Sequence, residues 1–126
     1  MTKKNQYLLL QSIENSNNYT FESTLEMALK KRINAENLLV LDNFSDGISM
    51  SHASKFIKDA EVLVIVVDEA KGDSNGLISK ILNQTVRKPN TTLFCINPIR
   101  QILPFLKMLK GEQFNDESAL IKRVLS

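Results

Sequence analysis

Tryptophan is absent from these 126 residues, cysteine and histidine occur once each, and proline and glycine are held to three and four. Each shortage removes a class of protein. A single thiol, Cys95, can form neither an internal disulfide nor a cysteine metal cluster, which points away from small disulfide-stapled secreted domains and toward the cytoplasm. Its neighbours Leu93, Phe94 and Ile96 provide no electropositive setting to activate it, so Cys95 is expected as a buried strand residue. The lone histidine, His52, excludes multi-histidine metal sites and leaves any serine-histidine-aspartate arrangement one candidate base. Beside Ser49 and Ser51 it reads as a surface residue at a helix start. With so little glycine and proline, no linker, repeat or low-complexity segment interrupts the chain. The net charge of +2 is too small, and its lysines and arginines too scattered among non-aromatic residues, to argue for nucleic acid. Long apolar runs are missing as well: Tyr7 to Leu10 is too short for the core of a signal peptide, and no window approaches membrane-spanning length.

What is present is a six-residue apolar run, Val62-Leu63-Val64-Ile65-Val66-Val67, set between Asp59-Ala60-Glu61 and Asp68-Glu69. Its length suits a strand rather than a helix, its residues are mostly β-branched, and the lack of alternation predicts burial on both faces. Such a strand needs a helical layer on each side and belongs at the centre of a parallel sheet. In open α/β sheets the carboxyl ends of the strands are where ligands bind.

The other elements alternate around it. Tyr7 to Leu10 reads as a first strand, and Phe21, Leu25, Ala28, Leu29 and Arg32 recur at helical spacing, with Ser23 and Glu26 at capping-box distance. Leu38 to Leu41 is a second strand, followed by Asp42-Asn43, a turn at Asp46-Gly47, and a short helix from about Ser51 through Ala60. After the central strand, Asp73 or Ser74 would cap an amphipathic helix carrying Leu77, Ile78, Ile81, Leu82 and Val86, which stops at Lys88-Pro89-Asn90. Thr91 to Ile96 is the fourth strand. Asn97-Pro98 opens a helix toward Lys110 that contains Pro104, which must kink it or begin a second segment, and Gly111 ends it. Glu112-Gln113-Phe114 leaves room for a short fifth strand, and Asn115 or Asp116 caps a last helix with Leu120, Ile121, Val124 and Leu125 on one face. Strands joined this way are linked by right-handed crossovers. The expectation is one domain over residues 1–126, a three-layer α/β/α sandwich with a parallel, flavodoxin-like sheet in the order 2-1-3-4-5.

The acidic strand ends are the first candidate chemistry. Gln11 and Asp42 follow the first two strands, Asp68 and Glu69 the central one, and Asp73 lies in the next loop. Carboxylates gathered at one sheet edge can hold a divalent cation or accept hydrogen bonds from ribose hydroxyls, although solvated turn formers look the same in sequence. The loop containing Asp73, Ser74 and Asn75 precedes a helix N-terminus, where free amides favour an anion. It has neither the Gly-x-Gly-x-x-Gly spacing nor the Gly-Lys-Ser/Thr ending of phosphate-binding loops. No spacing suggests a metal, and no cofactor is expected.

The stretch Ile57-Lys-Asp-Ala-Glu-Val-Leu-Val-Ile-Val-Val-Asp68, together with the order of elements, resembles the Toll/interleukin-receptor (TIR) domain and the nucleoside 2-deoxyribosyltransferases. Asp73-Ser74-Asn75-Gly76 stands where the deoxyribosyltransferases carry an Asp-Ser-Gly turn, and Lys88-Pro89 is similar to their Lys-Pro before the fourth strand. The resemblance implies a flavodoxin-like sheet and chemistry at an N-glycosidic bond, with a catalytic glutamate in the helix after that turn. Here the helix reads Leu77-Ile-Ser-Lys-Ile-Leu-Asn-Gln84 and holds no acid, which implies a non-catalytic copy unless Asp68, Glu69 or Asp73 substitutes. Asp73-Ser74-Asn75-Gly76-Leu77 is also similar to the phosphorylated Asp-Ser-Ser-Gly-Leu of the STAS domains of anti-sigma-factor antagonists, which would make Ser74 a phosphoswitch. The strand-helix unit from Tyr7 to Arg32 has no place in the hairpin that opens that family.

The leading expectation is a cytoplasmic, non-catalytic interaction or signalling module. The alternatives are a protein that binds a nucleotide-like small molecule or acts on its N-glycosidic bond, and the Ser74 switch. The stretch Ile99 to Leu109 holds seven large apolar residues, more than one helix face needs. Such a surplus predicts a homodimer or a protein partner engaged through Phe105 and Met108, unless Pro104 splits the stretch so that both parts are buried.

Overall fold

The computed structural model describes residues 5–11, 24–42, 47–68, 76–96 and 103–125. Five strands, β1 (Asn5–Gln11), β2 (Leu38–Asp42), β3 (Val62–Asp68), β4 (Thr91–Ile96) and β5 (Glu112–Phe114), form one parallel sheet in the order β2-β1-β3-β4-β5. The helices are α1 (Thr24–Arg32), α2 (Gly47–Asp59), α3 (Gly76–Thr85), α4 (Leu103–Met108) and α5 (Glu117–Leu125), and a 3-10 turn at Ala35–Asn37 leads into β2. The expected α/β class and strand order are both present, with β3 in the middle.

The apolar run of β3 is divided between two cores. Leu63, Ile65 and Val67 pack in a cluster with Ala53 and Ile57 of α2, Ile81 and Leu82 of α3, and Phe105 of α4. Val66 and the half-buried Val64 belong to a second cluster with Leu25 and Leu29 of α1 and Leu120 and Val124 of α5. A helical layer therefore covers each face from Leu63 to Val67, while Val62 at the start of the run is half-buried and belongs to neither cluster. Each buried side chain of the run contributes about 1.5–3 kcal/mol on burial. Cys95 is fully buried in the first cluster.

Local chemistry explains the element ends. The Ser118 amide donates to the Asp116 carboxylate at 3.2 Å, so of the two candidate caps for α5 it is Asp116 that closes the first turn. Thr85, a fully buried polar residue at the end of α3, donates its hydroxyl to the Leu82 carbonyl at 2.7 Å. Helix α2 begins at Gly47, a turn earlier than expected, because Met50 packs on the first cluster and extends the stripe of Ala53 and Ile57 toward the N-terminus. Pro104 lies in the first turn of α4, where its missing amide is no loss. The expected helix start at Asn97-Pro98 lies outside the described residues.

Gly111 was expected to end α4, and two residues share the closing of the helix. The Gly111 amide donates to the Leu106 carbonyl at 2.7 Å and the Lys110 amide to that of Lys107 at 3.4 Å, the Schellman pattern. The left-handed residue is Lys110, at φ 53°. Gly111 is needed for space: a Cβ there would lie 2.8 Å from both the Leu93 carbonyl oxygen and Leu106 Cδ2. A non-glycine residue in the left-handed region costs about 1 kcal/mol. Lys110→Gly should therefore stabilise the protein by up to about 1 kcal/mol, net of the extra freedom of the unfolded chain. Thermal denaturation should show a midpoint a few degrees higher, and an unchanged or lower midpoint would contradict this account.

The last strand, β5, is short, and its Glu112 and Gln113 are exposed, which blunts that sheet edge. It is tied down by the Phe94–Phe114 ring pair at 6.3 Å and by Arg123, which sits 5.3 Å from the Phe94 ring centroid and 3.1 Å from Glu112.

Candidate functional site

Strand register gathers the polar strand ends. Gln11 is aligned with Asp42 on one side and with Asp68 on the other, so three residues from separate stretches form one row at the carboxyl edge of the sheet. Adjacent strands in such a sheet stand about 4.8 Å apart, close enough for one small ligand to span the row. Asp73, Ser74 and Asn75, with Glu69, lie outside the described residues, as do all four connections at this edge, 12–23, 43–46, 69–75 and 97–102. The helix that follows the central strand is described: α3 runs Gly76–Thr85 and contains no aspartate or glutamate. A helix without a carboxylate offers neither a nucleophile nor a stabiliser for an oxocarbenium ion. Among the described residues no three histidine, cysteine, aspartate or glutamate side chains are placed to hold a metal ion. His52 is exposed on α2, as a surface residue.

Two concavities lie away from this edge. A cavity of about 300 Å³ is lined by Asn5, Tyr7, Arg32, Asn34 and Asn37 above Ile33, at the amino ends of β1 and β2. It is far from the row of strand ends, and three of its lining residues, Asn5, Asn34 and Asn37, are amides. A shallower groove of about 490 Å³ runs between the last turns of α2 and α3, lined by Ser54, Ile57, Lys58, Gln84, Arg87 and Lys88. The sequence reading treated these cations as scattered; the available signals were the Lys55-x-x-Lys58 spacing and the Arg87-Lys88 pair.

No protein-family model matches the chain, and no curated protein matches it in sequence. Among solved structures it is similar to one described as the crystal structure of the RPS4 and RRS1 TIR domain heterodimer, with a TM-score of 0.54 and 19% identity over 95% of this chain and 94% of that one. The chain has the TIR fold.

On the TIR-fold framework the expected interface residues part company. Phe105 is 8% exposed and belongs to the first core cluster, so it is withdrawn from any interface in the folded chain. Phe105 and Leu106 of α4, with Leu109 just beyond its end, pack in that cluster, and Met108 alone among them stands out, at 58% exposure. Among the described residues the other exposed large apolar side chain is Met27 on α1. Single methionines on separate helices do not make a continuous apolar patch. No described helix is long and apolar enough to cross a membrane.

Proposed function

We propose that this TIR-fold chain is a non-catalytic interaction or signalling module that works in the cytoplasm as one domain. The observation that carries the reading is α3, the helix after the central strand, which holds no carboxylate although the sheet around it is intact. The solved neighbour is by its description a heterodimer of TIR domains, which supports association with a protein partner here. Incubation with NAD or 2′-deoxynucleosides, followed by chromatography, should release neither nicotinamide nor free base. Release that is lost in Asp68→Asn would overturn the proposal and make the strand ends catalytic.

A second reading is favoured by the alignment of Gln11, Asp42 and Asp68: binding of a nucleotide-like small molecule without turnover. In the same samples, a ligand at 100 times its dissociation constant would add about 2.7 kcal/mol to stability. A thermal shift that is present in the wild type and weakened in Asp68→Asn would support this second reading. A phosphoswitch at Ser74 is the least supported reading, since β1 and β2 are parallel where the STAS family has a hairpin.

A further inference from the structure

We infer that the groove between the carboxyl ends of α2 and α3 docks an acidic segment of a protein partner, an inference that rests on the interaction-module reading. Three cations, Lys58, Arg87 and Lys88, surround one depression, and no acidic residue lines it. The concentration is local. Residues 47–60 and 76–90 hold five basic side chains against one acidic one, Asp59, whereas the whole chain carries only +2. The dipole of a helix favours a cation near its carboxyl end, which accounts for Lys58 in the last turn of α2, whereas the last turn of α3 holds no basic residue and Arg87 and Lys88 lie beyond its end. The dipole does not call for three around a shared concavity.

The lining also specifies the kind of anion. Ile57, 3% exposed, forms an apolar floor, while the Ser54 hydroxyl and the Gln84 amide supply neutral hydrogen-bonding groups between the charges. Point charges interleaved with neutral polar groups suit carboxylate side chains carried on a peptide backbone, and complementary charge sets both the partner and the rate of encounter. No aromatic side chain lines the groove to stack a nucleobase. A membrane surface would be met by an amphipathic face with apolar residues projecting, and here the apolar lining residue, Ile57, is buried at the floor.

The test is fluorescence anisotropy at low salt with a fluorescein-labelled hexaglutamate peptide. Saturable binding is expected, weakened at least tenfold in the double variant Lys58→Glu/Arg87→Glu and changed less than twofold in Lys80→Glu. Lys80 is exposed on α3 and does not line the groove, so its reversal, equal in charge to each single reversal in the double variant, controls for charge reversal outside the groove. Lys58 and Arg87 are exposed, and circular dichroism melts should show all variants folded. No binding, or an equal loss in Lys80→Glu, would overturn the inference. So would a single-stranded oligonucleotide or phosphatidylserine vesicles binding more tightly than the peptide through Lys58 and Arg87. A failure of peptide binding leaves the absence of NAD and nucleoside turnover standing, so the two readings fail separately.

Discussion

Ile65→Asp should leave no cooperatively folded protein. Ile65 is fully buried at the middle of the central strand, aligned with Leu8 of β1 and Leu93 of β4. Its side chain belongs to the cluster formed with α2 and α3, so a carboxylate there would be fully buried among apolar side chains. Losing the isoleucine packing costs about 2–5 kcal/mol, and an uncompensated buried charge adds about 3–5 kcal/mol. The sum reaches the whole stability of an ordinary domain, about 5–15 kcal/mol. Circular dichroism in a urea titration should show no sigmoidal transition. A soluble Ile65→Asp protein with a cooperative transition would mean that β3 is not the buried centre of the sheet.

Phe105→Glu should unfold the domain rather than divide a dimer. A buried phenylalanine truncated to alanine costs about 3–5 kcal/mol, and a glutamate at an 8% exposed position adds the cost of burying a charge. Met108, three residues on and 58% exposed, should tolerate glutamate within about 0.5 kcal/mol. The pair separates folding from assembly. If the proposed association includes a homodimer at Met108, light scattering gives twice the 14.3 kDa chain mass for the wild type and one chain mass for Met108→Glu. A folded, monomeric Phe105→Glu protein with a dimeric wild type would return Phe105 to the interface.

The sequence by itself determined what depends on local pattern. The unalternating Val62–Val67 run announced a strand covered on both faces, Thr91–Ile96 and Glu112–Phe114 announced β4 and β5 to the residue, and the alternation of strand and helix announced a parallel sheet, for which the flavodoxin-like order was the expectation. The polar strand ends were legible for the same reason, since Gln11, Asp42 and Asp68 each follow directly on an apolar run. The tertiary structure decided what depends on packing between elements distant in sequence. Helical periodicity finds an apolar stripe but does not say which of several surplus apolar residues the sheet will cover, and so Phe105 became core while Met108 stayed outside. That the left-handed residue at the end of α4 is Lys110, and that Gly111 is required by the close approach of Leu93, also needed the tertiary structure. The basic groove joins Lys58 to Arg87 and Lys88 across two helices, and only the packing of α2 against α3 brings those charges to one depression.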